Sequence, residues 1–109
     1  MSQPAKYDIK LTAGDDFQVT LRLLEEGDPI DTQGYTFAAQ ARSGYLPDTP
    51  LIVNFTVVPV TGGATIKLTS EQTRQLGQAS RVFWDFQSSS PNVRTWVTGR
   101  VFVAQEVTQ

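Results

Sequence analysis

The chain of 109 residues contains no cysteine and no histidine. Without cysteine there is neither a disulfide framework nor a thiolate metal site. Without histidine the commonest general base, metal ligand and near-neutral pH switch are all missing. Long apolar runs are missing too. None approaches the roughly 18 residues a membrane-spanning helix needs, and Met1 to Ala5 lead into no apolar stretch of the signal-peptide kind. Charge of one sign is scarce: 9 basic against 11 acidic residues give a net charge of −2. The basic residues (Lys6, Lys10, Arg22, Arg42, Lys67, Arg74, Arg81, Arg94, Arg100) are scattered along the chain. That argues against a stripe for nucleic acid. The expectation is no nucleic-acid partner and no membrane partner.

What remains is a pattern of short alternating runs. Phe17, Val19, Leu21 and Leu23 alternate with Gln18, Thr20 and Arg22, the signature of a half-buried strand. Six further runs read as strands: Tyr7 to Thr12, Tyr35 to Arg42, Leu51 to Val58, Ala64 to Leu68, Arg81 to Gln87 and Val93 to Val103. Between them lie turns at Ala13 to Asp16, Glu25 to Pro29 and Gly62-Gly63, and loops at Ser43 to Pro50 and Ser88 to Asn92. Pro59 is expected to end the fourth strand, because it lacks the N–H a ladder requires. Thr69 followed three residues later by Gln72 fits a capping box. It predicts one or two helical turns over Ser70 to Leu76, with Leu76 plugging the open end of the fold.

Seven strands at intervals of about 8–12 residues point to an all-β sandwich or barrel. The expected class is an immunoglobulin-like antiparallel β-sandwich of about seven strands with one short helical turn. A jelly roll needs an eighth strand. The domain is expected over residues 7–104, with a flexible N-terminal arm at 1–6 and a C-terminal tail at 105–109. The segment Pro29 to Tyr35 joins two of the strands. Pro29 fixes one backbone angle, Asp31 offers local hydrogen bonds, and Gly34 relieves strain before Tyr35 enters the core.

Chemistry is hard to place on this chain. The pairs Asp15-Asp16 and Glu25-Glu26 lie in turns, where solvated carboxylates are the rule. Adjacent strand residues point to opposite faces, which does not suit the paired acids of a glycosidase. Asp28, Asp31 and Asp48 offer loop oxygens, but not at EF-hand spacing. Ser88, Ser89 and Ser90 have no histidine base, and there is no Ser-x-x-Lys. Asn54-Phe55-Thr56 matches a glycosylation sequon, yet it falls inside a strand. The expectation is no catalytic residue, no metal and no cofactor.

The large aromatics raise interaction surfaces instead. Trp84 shares a face with Val82 and Phe86 and reads as core. Trp96 and Phe102 fall opposite Val97, Gly99, Val101 and Val103, and Phe83 lies opposite Trp84. If the last two strands pair, Phe83, Trp96 and Phe102 form an apolar outer patch; a slip of one residue reverses the faces. Tyr45 and Leu46, displayed on a loop broken by Pro47 and Pro50, complete the candidate interface. The N-terminal arm could also add to the sheet edge of a neighbouring molecule.

Several elements coincide in order with a known group. Tyr7-Asp8-Ile9-Lys10-Leu11 precedes Gly14 and Phe17-Gln18-Val19-Thr20-Leu21. Pro29-Ile30-Asp31 precedes Gly34-Tyr35 and an alanine-rich strand ending at Arg42. Ala64-Thr65-Ile66-Lys67-Leu68-Thr69 leads to the short turn from Glu71 to Leu76, then Trp84-Asp85-Phe86 and Gly99-Arg100-Val101-Phe102-Val103. From about Tyr7 to Val103 this order resembles the small immunoglobulin-like domains of tailed-phage structural proteins, such as the N-terminal domain of the phage baseplate upper protein. Gly34 and Asp85 hold the motif positions that matter most for the fold. The resemblance implies a non-enzymatic virion component, made in the host cytoplasm, that connects or decorates tail, baseplate or fibre elements. Its implied partners are other virion structural proteins and copies of itself. Phage fibres are commonly trimeric, which favours a trimer. Two alternatives are a capsid decoration protein and a carbohydrate-binding module that stacks Trp96, Tyr45 and Phe83 on host glycan.

Overall fold

The structure, a computed structural model, describes residues 5–25, 27–29, 31, 34–44, 49–79, 81–90 and 93–105; the side chains of residues 25 and 29 are outside this set. Its elements in chain order are β1 (Ala5–Lys6), β2 (Ile9–Thr12), β3 (Phe17–Arg22), β4 (Leu24–Glu25), β5 (Asp28–Pro29), β6 (Thr36–Arg42), β7 (Leu51–Asn54), β8 (Thr56–Val60), β9 (Gly63–Leu68), α1 (Ser70–Gly77), β10 (Phe83–Ser90) and β11 (Arg94–Ala104). A large sheet runs β1-β11-β10-β6-β7, with β2 continuing beside β11. A small sheet runs β3-β9-β8, and β4 and β5 form a separate hairpin. The strands and the short helix match the expected class, a two-sheet sandwich.

Alternating side chains build the core. Ile9, Ala39, Ala41, Val53, Trp84, Phe86 and Val101 come from the large sheet, and Leu21, Ala64, Ile66 and Leu68 from the small one. Phe86 is completely buried; burying such a ring contributes about 1.5–3 kcal/mol. The alanines of β6 let rings pack closely. Trp84 meets Phe55 at 5.7 Å between ring centroids, and Phe37 meets Phe86 at 5.0 Å.

Three expectations need correction. First, the strand drawn from Leu51 to Val58 is two strands in different sheets: β7 pairs with β6, and β8 pairs with β9. The corner is Phe55, whose buried ring points between the sheets while its N–H donates to the Ala39 carbonyl at 2.9 Å. Pro59 lies within β8 rather than ending it, which the position of β8 at the edge of its sheet among the described residues tolerates. Second, the N-terminal strand begins at Ala5, inside the expected flexible arm. β1 and β2 run parallel to β11, whereas antiparallel pairing was expected throughout. Third, β10 continues through Ser90, so Ser88 to Ser90 are strand and not loop.

α1 follows the expected chemistry. Thr69 accepts from the Gln72 N–H at 3.2 Å, and the Gln72 side chain accepts from the Thr69 N–H at 2.9 Å. Leu76 is completely buried and plugs the end of the sandwich. Thr73, also fully buried, adds a tie the sequence reading missed: its hydroxyl donates towards the Asp15 carbonyl and accepts from the Gly14 N–H at 3.0 Å.

Candidate interaction face

Strand parity places the outward residues of the large sheet. On β11 these are Thr98, Arg100 and Phe102, on β10 Phe83 and Asp85, and on β6 Gln40 and Arg42. Lys6 lies beside Thr98, and Lys10 beside Phe102. Phe83 and Arg100 are cross-strand partners. The Arg100 guanidinium lies 4.9 Å from the Phe102 ring centroid and 5.6 Å from that of Phe83. These are distances at which a cation is drawn to an aromatic face.

The candidate residues separate into three groups. Phe102 is outward and 41% exposed, as expected. Phe83 lies on the expected outer face but is only 9% exposed. Trp96 is not on that face: it is 7% exposed and belongs to the core. The cause is a β-bulge. Phe86 pairs with Val97 and Gln87 with Thr95, which leaves Trp96 as an extra residue on β11. At such a bulge two consecutive side chains share one face, and Trp96 and Val97 are both buried. The indole N–H of Trp96 donates to the Ser88 hydroxyl at 3.1 Å, its ring meets Tyr35 edge-on at 6.4 Å, and Arg94 covers it from 3.7 Å. Tyr45 and Leu46 lie outside the described residues.

The face is buttressed from behind at Gly99. A Cβ there would fall 2.1 Å from the Tyr7 carbonyl oxygen. Because Gly99 has none, the backbone between β1 and β2 moves in, and the Trp84 indole N–H donates to that carbonyl at 2.8 Å. Asp8 then accepts the Arg100 backbone N–H at 2.9 Å. A depression of about 220 Å³ opens beside this point, lined by Lys6, Asp8, Thr98, Gly99 and Arg100. Its lining carries both signs of charge, from Lys6, Asp8 and Arg100.

The other motif positions are structural. Gly34 adopts φ +81°, a left-handed conformation that glycine reaches without strain. Tyr35 then stacks on Phe37 at 5.5 Å. Asp85 accepts from the Gln87 side chain at 3.1 Å. Ile30, Thr32 and Gln33 of the same turn are outside the described residues.

Neither a protein-family description nor a curated protein matches the sequence. Among solved structures, a chain of the crystal structure of the titin M10–obscurin-like 1 immunoglobulin complex superposes with a TM-score of 0.50. The match covers 97% of this chain and 93% of that one at 7% identity. Identity that low speaks to architecture alone, and with the strand order above it gives the fold: an immunoglobulin-like β-sandwich.

Proposed function

We propose that the chain is a non-enzymatic structural component of a tailed-phage particle that works by protein–protein contact through the outer face of its large sheet. The observation that carries this reading is the exposed Phe102 beside an Arg100 already ordered against two rings. Phenylalanine and arginine are both enriched in protein interfaces relative to the rest of the surface. The virion assignment rests on the order of turn and strand motifs from Tyr7 to Val103. That likeness favours tail, baseplate or fibre attachment over capsid decoration. The carbohydrate-binding alternative loses support, because Trp96 and Phe83 are buried and do not offer open rings for a sugar to stack on.

Mass spectrometry and immunogold labelling of purified particles from the host carrying the gene test the assignment. The expected result is the chain at constant stoichiometry in washed particles, with gold at the tail. Its absence from particles would contradict the proposal.

A further inference from the structure

The sheet edges differ in how they are closed. At one edge of the large sheet β7 is four residues long with a register shift against β6, and the Gln72 side chain donates to the Asn54 carbonyl. β8, at one edge of the small sheet, carries Pro59. β3, at the other edge, has none of these devices. Phe17 to Arg22 runs six residues in unbroken register with β9, with no proline and no bulge. An edge of that kind presents a row of backbone groups that templates another strand.

The register identifies those groups. The Leu23 N–H donates to the Gly62 carbonyl at 2.9 Å, so Leu21, Val19 and Phe17 occupy the hydrogen-bonded pairs with β9. The Thr20 and Thr65 hydroxyls meet at 2.8 Å, as side chains do at the closer, non-hydrogen-bonded positions. The backbone N–H and C=O of Gln18, Thr20 and Arg22 therefore point away from the sheet. No strand takes them up among the described residues.

We infer that a second copy of this chain adds to this edge, β3 against β3, antiparallel about a two-fold axis at Val19. Only registers that pair outward backbone groups from both copies are open. In the one centred on Val19, Gln18 pairs with Thr20 of the second copy, and Asp16 faces Arg22 of the second copy at both ends. Shifting by one repeat of the ladder sets Arg22 against Gln18 or Gly14 instead, so charge complementarity selects the Val19 register. Asp16 and Arg22 are both exposed, and the Arg22 guanidinium makes no hydrogen bond or ion pair among the described residues. One Asp16 carboxylate oxygen accepts the Ser70 N–H, and the other is turned to this use. The same register sets Phe17 opposite Leu21 of the second copy and Val19 opposite its counterpart. Phe17 and Val19 are only half-buried in the single chain, and these cross-strand pairs extend the apolar row over them. Two three-stranded sheets become one continuous sheet. The contact is isologous, so it closes at a dimer.

Sedimentation of the intact chain over a range of concentrations, with amide exchange read residue by residue, tests this. A reversible monomer–dimer equilibrium is expected. In the dimer the Gln18 and Thr20 amides should exchange about tenfold or more slowly than in the dilute monomer. Those of Val19 and Leu21, bonded to β9 in both states, should change little. Arg22→Asp sets like charges opposite each other at both ends and should weaken the dimer about tenfold or more, with the monomer's thermal midpoint close to wild type. Asp16→Arg should weaken it similarly. An equimolar mixture of the two variants should pair again, since both ends then join opposite charges. A strict monomer into the millimolar range, a trimer, or a dimer whose Gln18 and Thr20 amides stay unprotected would each overturn the inference. So would charge variants that leave association unchanged, or a mixture that fails to pair. The β3 edge is separate from the Arg100–Phe102 face, so this dimer and the place of the chain in particles fail separately.

Discussion

Trp96 is where a single residue changes the meaning of the sequence. Counting alternate positions along β11 puts it outside with Phe102. One extra residue in the strand puts it inside with Val97. Period-two counting cannot register an inserted residue, and neither Thr95 nor Val97 signals one. The consequence is measurable. Trp96→Ala should cost about 3–5 kcal/mol, seen as a large fall in the urea midpoint, whereas the outward reading predicts an intact fold. Trp96→Phe keeps most of the volume but loses the bond to Ser88, at about 1 kcal/mol. Gly99 argues in the same way about backbone. Gly99→Ala forces a Cβ against the Tyr7 carbonyl, and a loss of about 1–3 kcal/mol is expected. In the sequence Gly99 looked like one member of an alternating face, and nothing marked it as a crossing point.

Local chemistry was legible at the level of elements, and long-range pairing was not. The Thr69-Gln72 spacing gave the start of α1 because a capping box is complete within four residues. Thr69→Ala should lower stability by about 1 kcal/mol, read as a fall in thermal midpoint with the β-sheet signal unchanged. β6 was readable because Tyr35, Phe37, Ala39 and Ala41 keep one face throughout. The split between β7 and β8 was hidden for the same reason. Val53, Phe55 and Val57 keep alternating through the corner, so the run looks continuous while the chain changes sheets. The parallel pairing of β1 and β2 with β11 joins residues about ninety positions apart in sequence, beyond the reach of any local pattern.

At the scale of the molecule, strand spacing alone suggested a sandwich, and the two sheets have that form. The candidate interface was only half legible. Phe102 lies outward as the alternation predicts, but the grouping of cations around it depends on which strands lie side by side. Lys6, Lys10, Arg42 and Arg100 are scattered in sequence and gather only in the folded sheet. Phe102→Ala should change stability by no more than about 0.5 kcal/mol, as at other surface sites, while weakening incorporation into particles. The absence of native cysteine allows the contact face to be footprinted directly with single thiols. Ala104→Cys reports from beside Phe102, and Lys67→Cys from the small sheet. In washed particles the thiol at position 104 should react with maleimide much more slowly than the one at position 67, and the two should react alike after dissociation. Equal reactivity in the particles would contradict the claim that the outer face of the large sheet is the surface through which this protein works.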